Sequence, residues 1–220
     1  MKLSEKEWFK KLHVKYFIII FFFYCLKGVL YETSKNVSTN YHFIDMEIDN
    51  LIPFCKYFIL FYITYYFSPP IQLYYISYKD KNKFYRLVIS GVISVIIANI
   101  CFLCYQTKFI RPVVEGSDIF SVLVRYIYTI DNGAVNCFPS IHAIFGMLMI
   151  IGGCNTKGTN IWYKLLTITV GLGCIVSTVF VKQHYFIDMV AGVLLILVVY
   201  GCVLLAEKKL RNKVEQTEIK

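Results

Sequence analysis

The chain has 220 residues, 57% of them hydrophobic and 17% charged, with a mean hydropathy of +0.57. A water-soluble globule of this length carries far more polar surface, so the composition excludes one and calls for membrane spans in a single domain, residues 1–220. The net charge of +9 accompanies no nucleic-acid motif, and its distribution assigns it to membrane topology.

Six apolar stretches follow one another, at 16–31, 54–78, 87–105, 138–154, 161–181 and 185–206. Most approach the ~20 residues with which a helix crosses ~30 Å of hydrocarbon. The first follows a basic segment, but Lys27-Gly28-Val29-Leu30-Tyr31 is a poor cleavage site, so the stretch reads as a span and not a signal peptide. The loop at 32–53 places Asp45, Glu47 and Asp49 beside apolar residues and is expected to hold a short interfacial helix. Pro69-Pro70 predicts a kink or break near the inner end of the second stretch. The loop at 106–137 carries Arg111-Pro112, Glu115, Asp118, Arg125 and Asp131-Asn132-Gly133, and runs into Pro139-Ser140-Ile141-His142. The fourth stretch is the shortest, so its polar start is expected beside a water-filled cavity. The sixth opens with Lys182-Gln183-His184-Tyr185-Phe186-Ile187-Asp188.

Lys and Arg alternate in density from loop to loop. Sixteen lie on the N-terminal segment, 79–86, 157–164 and the C-terminal segment; only Lys35, Lys108, Arg111, Arg125 and Lys182 lie on the loops between, with Lys27 and Lys56 near span ends. The positive-inside rule then predicts an all-α integral membrane bundle of six transmembrane helices with both termini cytoplasmic. The eight cysteines sit mostly in apolar runs. Cys101 and Cys104 lack a second pair at zinc spacing, and Cys104 could pair with Cys137 on the outer side.

This topology gathers three polar segments at outer span ends: Arg111-Pro112, Pro139-Ser140 with His142, and Ser177 through Lys182 to His184 and Asp188. Their chemistry is complementary. Pro139 suits the first turn of a helix whose N-H groups favour an anion, and Ser140 adds a hydroxyl. Arg111 can grip phosphate oxygens in a fork and Lys182 can add a point charge. In a helix starting near His184, Asp188 shares its face and can orient it as a nucleophile, while His142 protonates the departing oxygen. The bland readings are that each histidine bonds a neighbouring helix, that Arg111 and Lys182 snorkel, and that Ser177 bonds its own backbone. An unpaired carboxylate at Asp188 has the weakest such reading, because it is expensive inside a span.

At these residues the chain resembles the type 2 phosphatidic acid phosphatase superfamily, which includes lipid phosphotransferases and vanadium haloperoxidases. Pro-Ser-Gly-His of that family appears as Pro139-Ser140-Ile141-His142. Ser-Arg, five residues, His, three residues, Asp appears as Ser177-Thr178 with His184 and Asp188 in register, and Lys, six residues, Arg-Pro as Cys104 with Arg111-Pro112. Two cations and a glycine of the pattern are absent. Lys108 and Lys182 are the nearest replacements, and Lys182 is preferred because it lies two residues before His184.

The resemblance implies a six-helix bundle with a phosphatase-like core at about 87–206, acting on a phosphorylated lipid without metal or organic cofactor at the extracytoplasmic face of the cell membrane. It implies a phosphohistidine at His184, orientation by Asp188, acid catalysis by His142, and phosphoryl binding by Arg111, Ser140, Lys182, Ser177 and Lys108. Water as acceptor makes a lipid phosphatase; an alcohol makes a phosphotransferase. The Ser-Thr start and Lys-Gln-His ending of the third motif resemble the inositol phosphorylceramide synthase branch. A third reading is a non-catalytic lipid-binding membrane protein.

Overall fold

The computed structural model describes residues 5–35, 37, 40–131, 133–154 and 156–218. Lys2 and Lys220 of the charge pattern, and Asn132 of the long loop, lie outside the described residues. The described residues form eight α-helices and no strand: α1 (Glu5–Ser34), α2 (Glu47–Leu51), α3 (Ile59–Lys79), α4 (Lys81–Cys104), α5 (Ile119–Ile130), α6 (Ile141–Gly153), α7 (Ile161–Phe180) and α8 (Phe186–Glu218).

Four of these are long and apolar enough to cross a membrane: His13–Ser34 of α1, α4, α7, and Phe186–Thr217 of α8. That makes a multi-pass membrane protein. The two remaining expected spans, at α3 and α6, fall short of that combined length and apolarity. α3 has the length, 21 residues, but tyrosines and Pro69-Pro70 dilute its apolar character. α6 has 13 residues, roughly 20 Å at 1.5 Å per residue, and lies almost wholly inside the bundle.

Short polar residues start the helices where the sequence turns. Asp80 ends α3 and caps α4 by accepting the Lys83 N-H at 3.0 Å, and Asn160 caps α7 through the Tyr163 N-H at 2.9 Å. The break expected at Pro69-Pro70 is absent. α3 runs through both prolines, with its Leu73 and Ile76 faces buried in the core. α8 also continues well past residue 206, because Glu207 to Glu218 are good helix formers that need no hydrocarbon.

The loop at 106–137 contains a helix that hydrophobic runs alone did not reveal. Asp118 caps α5 by accepting from Phe120 and Ser121, and Lys56 bonds the same carboxylate at 2.6 Å. That ammonium holds the Asp118 carboxyl below the usual carboxylate range, helped by Ser121. Val124 and Ile127 of α5 are buried, while Ile119, Val122, Tyr126 and Ile130 face outward. The Cys104–Cys137 pairing that the sequence left open is not formed. Cys104 is exposed, and Cys137 is buried with its thiol on the Ala134 carbonyl at 3.2 Å.

α6 is the centre of the bundle and packs on α3, α4, α7 and α8. A helix that is apolar all round is a buried helix. Its approach to α7 is close enough that a Cβ on Gly146 would stand 2.8 Å from the Gly171 carbonyl, and one on Gly171 would stand 2.6 Å from the Gly146 carbonyl. The two ends of the bundle differ. At one, Lys83 Nζ donates to the Cys154 carbonyl at 3.2 Å, so the basic turns at 80 and 154–160 are neighbours. At the other, the long connections interlock: His42 N-H donates to Gln106 O at 2.9 Å, and Cys55 N-H to Phe180 O at 2.8 Å. All three polar segments of the sequence lie at this second end.

Candidate active site

His184 does not start a helix. The chain leaves α7 through a tight turn in which Thr178 O accepts the N-H groups of both Gln183 (3.0 Å) and His184 (3.1 Å), and Lys182 takes a left-handed φ of 50°. α8 then begins at Phe186. Asp188 is fully buried in its first turn, and its Oδ2 accepts the Tyr185 N-H at 2.9 Å. The same oxygen lies 3.5 Å from His184 Nδ1. The nearer partner of Nδ1 is the Cys137 carbonyl at 3.1 Å. So a main-chain carbonyl that no motif names receives the imidazole hydrogen bond, and Asp188 adds its charge behind it. With Nδ1 as donor, Nε2 keeps its lone pair.

That Nε2 lies 3.4 Å from Nδ1 of His142, 42 residues earlier in the chain. His142 is the second residue of α6, whose N-cap is Ser140, so Pro139 precedes the helix and does not form its first turn. The His142 ring packs against Tyr62 and Tyr65 of α3, with centroids at 4.4 and 3.9 Å, and its Nε2 is buried without a partner. Ser140 joins the two histidine segments: its N-H donates to Asp188 O at 2.9 Å, and its hydroxyl accepts the Ala143 N-H at 3.3 Å.

The expected phosphate ligands are placed differently. Lys182 Nζ donates to the carbonyls of Asp49 and Ile52, at 2.9 and 2.6 Å, and ties down the first outer loop. Burial pushes its ammonium down and Asp49 opposes this. Lys108 lies over the Tyr41 ring at 4.8 Å. Ser177 donates to Cys174 O at 2.7 Å, the local helix bond its residue type favours. None of these three lines the cavity beside the histidines. Arg111 stands one layer behind it. Its guanidinium donates to Asp131 Oδ2 at 2.7 Å, to the carbonyls of Tyr128 and Asp131 at 2.9 Å, and to Gln183 Oε1. Arg111 thus positions Asp131 and Gln183, which do line the cavity.

The cavity encloses about 190 Å³ and is bounded by His142, His184, Gln183, Asp131, Tyr65 and Tyr66, with Lys27 and Lys35 from α1. Lys27, placed near a span end by sequence, donates to the Tyr65 hydroxyl at 2.9 Å. Gln183 Nε2 is a buried amide donor without a partner. A lysine four residues inside the end of the apolar stretch at 16–31 was the signal for the first; nothing in the sequence marked the second.

Cys137 Sγ, His184 Nδ1 and an Asp188 oxygen lie within 4.8 Å of one another and, among the described residues, form a group that could hold a metal ion. Each already has a partner within the protein, and burial, with Asp188 and Asp131, pushes the Cys137 thiol up, away from the thiolate a metal would bind. The set reads as an orienting group for His184.

Gly192 of α8 lets this arrangement close. A Cβ there would stand 2.4 Å from the Ser140 carbonyl and 3.0 Å from the Ala143 Cβ. Gly192→Val is expected to push α8 off the start of α6, costing about 1–3 kcal/mol. A melting temperature equal to that of the wild type, with unchanged turnover, would contradict this.

Residues 120–211 match the sequence model of the PAP2 superfamily. The match runs from α5 through most of α8, includes His142, His184 and Asp188, and supports membership of that superfamily. No curated protein and no solved structure matches the chain.

Proposed function

We propose, with that match as the premise, that the protein is a membrane-embedded phosphatase that hydrolyses a lipid phosphate or diphosphate at the extracytoplasmic face of the cell membrane. The observation that carries this reading is the pairing of His184 Nε2 with His142 Nδ1 at 3.4 Å on one cavity wall, with His184 Nδ1 held by the Cys137 carbonyl and backed by Asp188.

In the first step the Nε2 lone pair attacks phosphorus and the ester P–O bond breaks. His142 gives a proton to the departing oxygen, and Asp188 balances the positive charge that develops on His184. Water then attacks the phosphohistidine, His142 takes its proton, and inorganic phosphate leaves. The histidine contact fills the gap a phosphoryl group would occupy, so binding has to part the two rings. The enclosed volume is smaller than the ~300–1,000 Å³ of pockets that swallow drug-sized ligands, so it suits a headgroup and leaves the apolar tail outside. Six spans with cytoplasmic termini belong to the same reading: the basic turns at 80 and 154–160 share the end opposite the cavity.

A second reading, lipid phosphotransfer as in the inositol phosphorylceramide synthase branch, is favoured by Ser177-Thr178 and Lys182-Gln183-His184. The test is phosphate release by full-length protein in detergent with EDTA, across a panel of phosphorylated lipids, with and without alcohol acceptors. Release with water alone is the expected result. Turnover only when an acceptor is present would replace hydrolysis with transfer, and neither would leave a non-catalytic lipid-binding protein.

A further inference from the structure

We propose that Lys27 of α1 binds the phosphoryl group and supplies the cation that the residues around the two histidines lack. The proposal rests on the phosphate-site reading above, but not on hydrolysis itself.

Lys27 lies seven residues before Ser34, roughly 10 Å down α1, and is the one charged residue of its apolar stretch at 16–31. An ammonium at that depth is costly, and its side chain needs a reason to be there. The reason is not an ion pair. Its hydrogen-bond partner is the neutral Tyr65 hydroxyl, and the rings of Tyr24, Tyr65 and Phe145 surround it at 4.8, 4.4 and 5.3 Å. Rings and a phenol can hold an ammonium, but they do not neutralise it.

The charges around the cavity are otherwise balanced. Asp131 is paired with Arg111 at 2.7 Å and accepts the Tyr31 hydroxyl; Glu32 is paired with Lys35 at 3.4 Å. Among the described lining residues, Lys27 is the cation left over. A small cavity with one surplus positive charge and two reactive histidines selects an anion. Tyr65 adds a spatial link, because its hydroxyl meets Lys27 while its ring lies 3.9 Å from that of His142. Lys27 therefore approaches from the acid's side of the site. The buried amide of Gln183, next to His184, is placed to serve a second phosphoryl oxygen.

The test uses full-length protein in detergent, with orthovanadate and inorganic phosphate as probes and thermal protection as the readout, beside KM and kcat on an accepted lipid phosphate. Lys27→Gln is expected to weaken vanadate protection and raise KM, each roughly tenfold to a hundredfold, as loss of a charge-assisted hydrogen bond predicts. Lys27→Arg, which keeps the charge, is expected to retain most of both. Equal vanadate binding by the wild type and both variants overturns the proposal and assigns Lys27 to packing. Should Lys27→Gln fail to fold, Lys27→Met, which removes the charge with an apolar side chain suited to the stretch, takes its place, and retained vanadate protection in it overturns the proposal. Lys27-dependent vanadate binding without phosphate release would sustain the site while removing the hydrolysis reading. Phosphate release that is unaffected in Lys27→Gln does the opposite.

Discussion

Phosphate release by His184→Ala is expected to fall on the order of 10⁴-fold or more below wild type. The size follows from its position. Its Nε2 is the lone pair held toward the cavity, because Nδ1 is occupied by the Cys137 carbonyl, and His142 lies across the gap as its proton partner. On the proposed mechanism, removing the ring takes away the atom that forms the covalent bond. His142 is not expected to replace it, since its ring is packed against Tyr62 and Tyr65. Alanine costs the fold two side-chain hydrogen bonds, to the Cys137 carbonyl and to His142, so the melting temperature should fall modestly and vanadate should still bind. Substantial turnover in a folded His184→Ala protein would rule out the phosphohistidine. An acid-labile phosphoryl adduct on the wild type that is absent from the variant would support it.

Asp188→Asn should lower kcat by about 10²–10⁴-fold while leaving the fold largely intact. The amide keeps an oxygen for the Tyr185 N-H, and the Cys137 carbonyl still holds His184 Nδ1 at 3.1 Å, so the ring stays in place. What disappears is the buried negative charge 3.5 Å from an imidazole that becomes cationic during reaction. Asp188→Ala also removes the cap of the α8 turn and should lose about 1–3 kcal/mol of stability besides. Unchanged kcat in Asp188→Asn would mean that the Cys137 carbonyl alone orients His184, with Asp188 a capping residue only. Measuring kcat and melting temperature on both variants separates these outcomes.

The residues that were legible in the sequence were those with local spacing. Asp188 stands four residues after His184, and that interval keeps them together although the structure reaches it through a tight turn followed by a helix. The Pro-Ser-x-His register likewise located a helix start with a histidine inside its first turn, and Ser140 does cap α6. Where reading went astray, the reason was that the same local logic was pushed too far. Lys182 is two residues from His184 in sequence, yet its left-handed backbone aims the side chain at the carbonyls of Asp49 and Ile52. α5 was missed because its apolar residues divide between a buried face and an exposed one, without the long unbroken run of a span.

Taken alone, the sequence determined that the chain is apolar, helical and built around two histidines and a carboxylate, because composition and short-range periodicity are properties of neighbouring residues. Only the tertiary structure decided which groups face the histidines. The Cys137 carbonyl approaches His184 from 47 residues away, and Lys27 reaches Tyr65 across 38. Those meetings depend on how α1, α3 and α6 pack, and helix packing is set by the shapes of buried faces. Hence the sequence pointed to cations near the motifs, while the structure points to one on the first helix.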